Sequence, residues 1–278
     1  MGEPRALESA RRVLAQRPAL SIAGEIPLNG LGDAGPEFAE GIRALRPDEV
    51  ILLISADGRF HPVLVEVLRT PVPVRLLPPA AIPSAGRMGR WGRWQKRLLD
   101  LALGLPLTLL TLPVMLLIGL AIAVSSGWPV LFRQWRVGEG GRLFGMYKFR
   151  TMHARAGDPL GMEAKRPDDP RVTPIGRWLR RMSLDELPQL LNVLLGQMSL
   201  VGPRPELPGV VLGYQGEQWL RLTVPQGLTG LWQVKKRPHP MHAHTDLDLE
   251  YIREWSLALD LKILLQTPWA MLRGEGAY

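Results

Sequence analysis

The feature that most constrains this chain is a stretch of about 24 residues, Leu101 to Val124, that carries no charged side chain. As a helix it would be roughly 36 Å long, against roughly 30 Å for the hydrocarbon core of a bilayer. Its length and composition therefore predict a membrane helix. Pro106 and Pro113 lie inside it. Because a mid-helix proline removes a hydrogen bond and crowds the preceding turn, we expect a bend near Pro113.

Basic residues flank this apolar stretch on both sides. They are Arg87, Arg90, Arg93, Lys96 and Arg97 before it, and Arg133, Arg136 and Arg142 after it. Cytoplasmic flanks are rich in Lys and Arg, so a helix that crosses the bilayer shows a charge asymmetry between its ends. The symmetry here predicts a re-entrant hairpin over residues 98–126, with both ends on the cytoplasmic face and its bend at Leu112 and Pro113. An ordinary kinked transmembrane helix is the alternative.

The composition narrows the classes of partner. The chain of 278 residues has a formal net charge of +8, which fits nucleic acid, anionic lipid or a phosphate-rich substrate. Because residues 81–97, a basic stretch with interleaved tryptophans, run directly into the apolar stretch, we expect a linker at the membrane interface and no nucleic acid. There is no cysteine, which excludes disulfides and thiolate metal sites. The first twenty residues are charged and broken by Pro18, so we expect no secretory signal.

Residues 1–80 alternate short apolar runs with segments of helical spacing, which predicts a partial parallel sheet in a small Rossmann-like module. The predicted strands are Leu20–Ala23, Glu49–Ser55 and Val72–Leu77, and the predicted helices are Glu37–Leu45 and His61–Leu68. No glycine-rich dinucleotide motif accompanies them, so a regulatory or packing role is favoured over nucleotide binding. The chain as a whole is predicted to be mixed α/β, with residues 127–278 as a cytosolic domain.

The cytosolic domain has three predicted elements of interest. Phe144–Met152 has the composition of a strand, and Pro174–Leu195 has helical spacing. Trp255–Leu272 is apolar over much of its circumference, which fits either an interfacial helix or a core helix.

Two adjacent carboxylates, Asp185 and Glu186, stand among apolar neighbours with arginines nearby. The arginines are Arg177, Arg180 and Arg181 upstream and Arg204 downstream. Apolar surroundings raise the pKa of a carboxyl group, whereas guanidinium groups lower it and also bind phosphate. The pattern suits attack of a carboxylate on phosphorus, with a divalent ion to offset charge. The alternative is a capping box, in which Ser183 and Glu186 cap a helix start.

Other basic or metal-ligating residues have two interpretations each. Arg204 lies between Pro203 and Pro205, which fixes its backbone for phosphate binding or simply forms a surface turn. Lys148 and Arg150 alternate on one strand face, either as phosphate contacts or as a solvated face. The three histidines match no standard zinc spacing, so a polar loop is favoured. They are His239, His242 and His244.

Six motifs in order resemble those of the bacterial sugar transferases, the monotopic phosphoglycosyl transferases. The resemblance covers about residues 92–278. The motifs lie at Lys96–Asp100, Tyr147–Met152, Ser183–Leu190, Met198–Glu206, Leu228–Val234 and Asp260–Leu264. The resemblance implies that Asp185 and Glu186 take part in the chemistry and do not serve only as a helix cap.

The resemblance implies an enzyme that transfers a sugar-1-phosphate from a UDP-sugar to a polyprenyl phosphate and releases UMP. It implies Mg²⁺, a nucleophile and metal ligand at Asp185, a supporting role for Glu186, and phosphate contacts at Arg180, Arg204 and, less directly, Lys148. It also implies bilayer lipid as a partner, the inner (plasma) membrane as location, and a catalytic domain on the cytoplasmic face. A homodimer is among the expected assemblies.

The chain departs from the family pattern at several positions. Leu112 replaces the usual serine before Pro113, so Thr111 is expected to supply the hydroxyl at the bend. Gln197 stands where an acidic residue is usual, and Pro225-Gln226-Gly227 replaces Arg-Pro-Gly, with Arg221 as the expected substitute for the missing arginine. These changes bear on substrate contacts more than on the reaction. The altered loop at Pro225 is the best support for the rival interpretation, a catalytically inactive membrane-anchored regulatory or scaffold homologue.

Overall fold

A computed structural model describes residues 42, 44–53, 64, 67–68, 70–77, 88–153, 169–235 and 245–272. The predicted strand Leu20–Ala23 and the three histidines lie outside these residues. The described fold is mixed α/β, as predicted, with small two-stranded sheets and helices around them.

The apolar stretch forms most of one continuous helix, α1, Arg90–Ser126. It is long and apolar enough to cross a membrane, and only 22% of its most apolar window is buried. The hydroxyl of Thr111 donates to the carbonyl of Leu107 at 2.8 Å, a bond of the kind that bends helices. The predicted hairpin is not confirmed, because the helix runs on through Pro113.

The start of α1 corrects the predicted boundary of the linker. Residues 90–97 were placed in a linker before the membrane helix, but they are the first turns of the helix itself. The physical reason is that Lys96 and Asp100 are buried on one face and hydrogen-bonded to the catalytic domain. Tertiary partners thus extend the helix beyond its apolar part.

After α1 the chain forms an antiparallel hairpin that carries Lys148. Strand β3, Leu131–Val137, pairs with β4, Leu143–Phe149, with Leu131 opposite Phe149. Strand β4 was predicted over Phe144–Met152 and ends three residues earlier than predicted. Beyond it, Arg150 donates to the carbonyls of Ser126 and Gly127, each at 2.6 Å, and so holds the end of α1. It is therefore not a phosphate contact on the face of Lys148.

The rest of the catalytic domain is built from short elements. These are α2 Pro174–Arg181, a 3-10 helix Leu184–Glu186, α3 Gln189–Leu194, β5 Ser199–Val201, α4 Pro208–Val211, a 3-10 helix Gly216–Thr223, β6 Gly227–Thr229, α5 Leu231–Lys235, α6 Thr245–Glu254 and α7 Leu257–Leu272. Strands β5 and β6 are parallel. Helix α7 buries Asp260 and Ile263 and exposes Leu261, Leu265 and Trp269, so it has both a core face and an exposed apolar face.

The N-terminal unit packs directly on the catalytic domain. Strands β1, Val50–Leu53, and β2, Val74–Leu77, are parallel, which confirms two of the predicted strands. The core around them continues into catalytic-domain residues such as Val211 and Trp219. The backbone of Arg75 on β2 also pairs with that of Arg142, which follows α1 in the chain, in an isolated antiparallel β-bridge. The segments before and after α1 are therefore in contact.

A buried ion pair ties α1 to α7. The Nζ atom of Lys96 lies 2.7 Å from Oδ2 of Asp260, and both side chains are almost fully buried. The hydroxyl of Tyr251 donates to Oδ1 of Asp260 at 2.8 Å, and the indole of Trp255 donates to Oδ2 at 3.2 Å. Such a pair is favourable only because its remaining hydrogen-bonding capacity is also satisfied.

We expect Lys96→Met to destabilise the protein by about 3–5 kcal/mol, because it leaves Asp260 charged and buried without its partner. Thermal unfolding followed by tryptophan fluorescence in detergent measures this as a drop in Tm of roughly 10 °C. The double variant with Asp260→Leu should recover part of the loss. Arg253→Gln, which breaks an exposed pair with Glu217, is the control and should cost less than about 1 kcal/mol. Equal losses in Lys96→Met and Arg253→Gln would contradict the prediction.

Candidate active site

The two adjacent carboxylates lie on a 3-10 turn between α2 and α3. Ser183, just before it, has a φ of 54° and ends α2 in the left-handed conformation, which is uncommon for a residue other than glycine. The side chain of Ser183 makes no capping bond to the turn, and Glu186 contacts other partners. The predicted capping box is therefore wrong. Pro174–Leu195 is not one helix, because Ser183 and the turn interrupt it.

Glu186 accepts hydrogen bonds from two cations. Its Oε1 lies 2.7 Å from Nζ of Lys148 on β4 and also accepts from Arg204, whose other Nη donates to Oε2 at 3.2 Å. These contacts outweigh burial and hold the pKa of Glu186 well below its ordinary value, although desolvation is the largest single influence. Glu186 is thus an ionised carboxylate with both oxygens engaged.

Asp185 has the opposite setting. Burial raises the pKa of Asp185 above its ordinary value, although Lys148, Arg180 and Arg204 oppose the shift. No hydrogen bond or ion pair reaches its carboxylate from the described residues. Two neighbouring carboxyl groups whose pKa values are pushed apart are typical of a catalytic pair with divided roles.

Hydrogen bonds between segments that are distant in sequence position Lys148 and Arg180 at the site. The side chain of Asn192 on α3 accepts from the backbone N–H of Tyr147 at 2.9 Å and donates to the carbonyl of Gly145 at 2.8 Å, which docks α3 on β4 beside Lys148. The Nε atom of Arg180 on α2 donates to the hydroxyl of Thr151 at 2.9 Å. The structure thus brings all the predicted catalytic and phosphate-binding side chains into one electrostatic cluster around Asp185. The predicted bend at Leu112 and Pro113 belongs to α1, outside this cluster.

Two contacts fix the backbone of the loop that carries Arg204. Gly202 packs so closely on the neighbouring segment that a Cβ there would lie 2.3 Å from the carbonyl oxygen of Pro225. Arg136, which is buried, donates to the carbonyl of Pro205 at 3.0 Å. Burial and the nearby Arg204 lower the pKa of Arg136 to about 10, so it still carries its charge at neutral pH.

Arg221 does not replace the arginine that the sequence lacks at Pro225. It is fully buried, where it donates to Asp248 at 2.8 Å, to Glu206 at 3.2 Å, to the hydroxyl of Tyr214 and to the carbonyl of Arg204. The expectation that Arg221 contacts substrate is therefore wrong, because its donors are used by these buried partners, one of which is the carbonyl of Arg204. Sequence reasoning also missed Asn192, Asp248 and the supporting role of Arg136, since no local spacing links them to the carboxylates.

The donor set allows a magnesium ion in one arrangement. Among the residues that the structure describes, no cluster of three or more His, Asp or Glu side chains is placed to hold a metal. Both oxygens of Glu186 are already engaged, which leaves Asp185 as the available carboxylate. Protein-bound Mg²⁺ commonly uses one or two carboxylates together with substrate phosphate oxygens and water. Asp185 and a bound diphosphate would fit that pattern.

The opposed pKa shifts predict opposite effects of two isosteric substitutions on stability. The pKa of Asp185 is raised, so its ionisation costs stability above pH 3.8, its ordinary pKa, and costs nothing below it. Asp185→Asn should therefore gain in Tm relative to the native protein as pH rises from 4 to 7. The pKa of Glu186 is lowered, so its stabilisation is present above pH 4.5 and is lost as pH falls through the folded-state pKa. Glu186→Gln should therefore lose about 3–5 kcal/mol at pH 7, where it leaves two buried cations unpaired.

Unfolding curves of both variants and of the native protein, measured in detergent at several pH values, test whether the two Tm differences change in opposite directions with pH. Tm differences that move in the same direction for the two variants would contradict the assignment of opposite environments.

Comparison with known proteins identifies a family that this chain matches. The model of the family described as bacterial sugar transferase matches residues 91–274. The chain is 46% identical over 193 residues to UDP-glucose:undecaprenyl-phosphate glucose-1-phosphate transferase of Caulobacter vibrioides. The aligned residues cover 66% of this chain and 72% of that protein.

Two further relatives are longer proteins. The undecaprenyl-phosphate glucose phosphotransferase of Komagataeibacter xylinus is 43% identical over 192 residues, 65% of this chain and 36% of the relative. The undecaprenyl-phosphate galactose phosphotransferase of Salmonella typhimurium is 36% identical over 204 residues, 68% of this chain and 43% of the relative. The chain thus matches less than half of the length of these two relatives.

Proposed function

This chain belongs to the bacterial sugar transferase family, and on that premise we propose that it transfers a sugar-1-phosphate from a UDP-sugar to a polyprenyl phosphate and releases UMP. Relatives named for glucose and galactose transfer support the substrate class. The observation that carries the proposal is the division between Asp185, buried with its oxygens available, and Glu186, held by Lys148 and Arg204.

Asp185 is the nucleophile in the proposed reaction. One of its oxygens attacks the phosphorus that bears the sugar, and the bond from that phosphorus to the bridging oxygen breaks. The electron pair leaves with UMP, and a phosphosugar-aspartyl intermediate remains. An oxygen of the polyprenyl phosphate then attacks the same phosphorus and releases the Asp185 carboxylate. Two displacements let one pocket serve two phosphate substrates in turn.

The cations around Asp185 favour this chemistry. Lys148, Arg180 and Arg204 carry three positive charges against two on the ionised carboxylates, so the cluster has an excess positive charge for a diphosphate. Fixed cations stabilise the charge of a transferring phosphoryl group. Glu186 keeps Lys148 and Arg204 oriented in a buried position until substrate arrives. Mg²⁺, held by Asp185 and the diphosphate, would add Lewis-acid stabilisation of the leaving phosphate.

We also propose that α1 enters the membrane and returns as a re-entrant helix, with the catalytic domain on the cytoplasmic face of the inner membrane. A straight helix of this length would be roughly 55 Å long. Yet Lys96 at its start and the carbonyls of Ser126 and Gly127 at its end both contact the catalytic domain. The backbone β-bridge between Arg75 and Arg142 also joins the segments on either side of α1. A helix that crossed the bilayer would separate them.

Asp185→Asn should lower UMP release by at least about a thousandfold, since a catalytic nucleophile cannot be replaced by an amide. The assay supplies a panel of UDP-sugars, the polyprenyl phosphate and Mg²⁺. With sugar-labelled substrate and no lipid acceptor, the native protein should retain label that hydroxylamine removes, as expected of an acyl phosphate, and Asp185→Asn should retain none. Arg181→Gln, which changes an exposed arginine on α2, is the control and should stay within about twofold of native activity.

Turnover by Asp185→Asn would refute the nucleophile, and turnover by the native protein without retained label would refute the covalent step. Absence of UMP release with every sugar tested would instead favour the inactive scaffold homologue.

Single-cysteine labelling tests the re-entrant helix, because the chain has no native cysteine. Gly89→Cys and Ser125→Cys place exposed thiols at the two ends of α1. A membrane-impermeant maleimide should label both in inverted vesicles and neither in intact spheroplasts, while Leu112→Cys should stay protected in both. Labelling of the two ends from opposite faces would show a spanning helix.

A further inference from the structure

A cavity lies beside the first turns of α1. Its volume is about 200 Å³, and its lining includes Arg93, Lys96, Arg97 and Gln197. Neither of the adjacent carboxylates, and none of the three cations placed beside them, belongs to the lining. The reaction proposed above therefore leaves this cavity without a role.

The lining holds three cations, Arg93, Lys96 and Arg97, and two acids, Asp100 and Glu139. Lys96 is neutralised by Asp260, and Arg93 lies 2.7 Å from Glu139 in an exposed pair.

Asp100 is buried and accepts hydrogen bonds from Ser199 and Leu200, whereas the half-buried Arg97 forms no ion pair with the described residues. Arg97 donates to the backbone carbonyls of Val193 and Leu194, each at 2.6 Å. Gln197, on the neighbouring turn, is neutral. A cation with neutral acceptors at the edge of an open cavity favours an anionic ligand.

The cavity also lies where polar surface meets apolar surface. Leu98, the residue after Arg97, is 70% exposed and begins the exposed apolar face of α1. Leu195, next to the lining residue Gly196, is 63% exposed, and Trp94 is 72% exposed on the same end of the helix. Tryptophan and arginine beside an apolar surface are typical of the head-group level of a bilayer. A ligand here would have an anionic head and an apolar tail.

From this arrangement we infer that the cavity binds the head-group phosphate of an anionic bilayer phospholipid. The inference rests on the proposed membrane placement of α1. Basic pockets next to membrane helices on the cytoplasmic side bind such head groups. The volume admits a phosphate and part of a head group but not the acyl chains, which would lie along the exposed leucines. A lipid held there sets the depth of α1, and with it the height of the catalytic domain above the bilayer.

Enrichment of phosphatidylglycerol tests the site directly. The full-length protein is reconstituted in phosphatidylcholine nanodiscs that contain about one fifth phosphatidylglycerol, re-extracted in mild detergent, and its retained lipids are measured by mass spectrometry. The native protein should retain phosphatidylglycerol at least about threefold above its share of the bilayer, and the excess should fall as salt is raised, because salt screens the exposed arginine charges.

Gln197→Glu is the informative variant. It adds a carboxylate to the lining next to Arg97, and it keeps the side-chain oxygen that accepts from Asn192 at 2.7 Å. We expect the enrichment to fall to the bulk ratio. Gln95→Glu makes the same change of charge on α1, close in sequence to Arg97, but position 95 is not in the lining, so it should keep most of the enrichment. Equal enrichment in both variants, or equal loss in both, would overturn the assignment.

Two competitors identify the chemistry of the ligand. Inorganic phosphate at millimolar concentration should not displace the lipid, and displacement would reduce the site to a phosphate site without lipid preference. A polyprenyl phosphate at one part in a hundred should not displace it either, and displacement would assign the cavity to the acceptor substrate.

Vesicle flotation separates failure of the cavity from failure of the membrane placement. Flotation with phosphatidylcholine vesicles but no enrichment of phosphatidylglycerol overturns the cavity inference alone. Absence of flotation with either lipid overturns the placement of α1 and the inference with it.

Discussion

The site depends on one carboxylate that is shared by two cations. Glu186 receives Lys148, 38 residues earlier in the chain, and Arg204, 18 residues later, and thereby joins a strand, a turn and a loop at one point. Buried charges of like sign repel, so Lys148 and Arg204 remain close only because Glu186 lies between them. Asp185 then lies in a field that is already positive. The geometry that suits phosphate chemistry is thus a consequence of how Glu186 is satisfied.

The loop that bears Arg204 links this arrangement to the membrane helix. Asp100 on α1 accepts from the hydroxyl of Ser199 and the backbone N–H of Leu200, each at 2.8 Å. The hydroxyl oxygen of Tyr251, which accepts from Lys96 of the same helix, also lies 3.3 Å from the carbonyl oxygen of Val201. The base of α1 is therefore bonded to the strand that leads into the loop that bears Arg204. In the proposed reaction the acceptor stays in the bilayer, and this connection would fix the height of Asp185 above the lipid.

What the sequence could predict was set by local patterns. The apolar stretch predicted α1, and buried-strand runs predicted β1 and β2, because each signal lies within the segment that folds. The capping box failed because Ser183 turns left-handed to end α2, and because the partners of Glu186 come from distant segments. Arg221 was misjudged for the same reason, since its burial depends on acids that lie 15 and 27 residues away. The resemblance to a family supplied the grouping of residues that spacing alone left open.

The 3-10 geometry of the turn explains why two adjacent carboxylates take different roles. Successive residues of a 3-10 helix are rotated by about 120°, so neighbouring side chains point in different directions. Glu186 is directed at Lys148 and Arg204, whereas Asp185 lies in a buried position without a hydrogen bond from the described residues. On an α-helical start, as the capping box required, Glu186 would turn back to the backbone and lose its cations. The left-handed residue Ser183 prevents this, so an uncommon backbone conformation next to the two carboxylates sets their different surroundings.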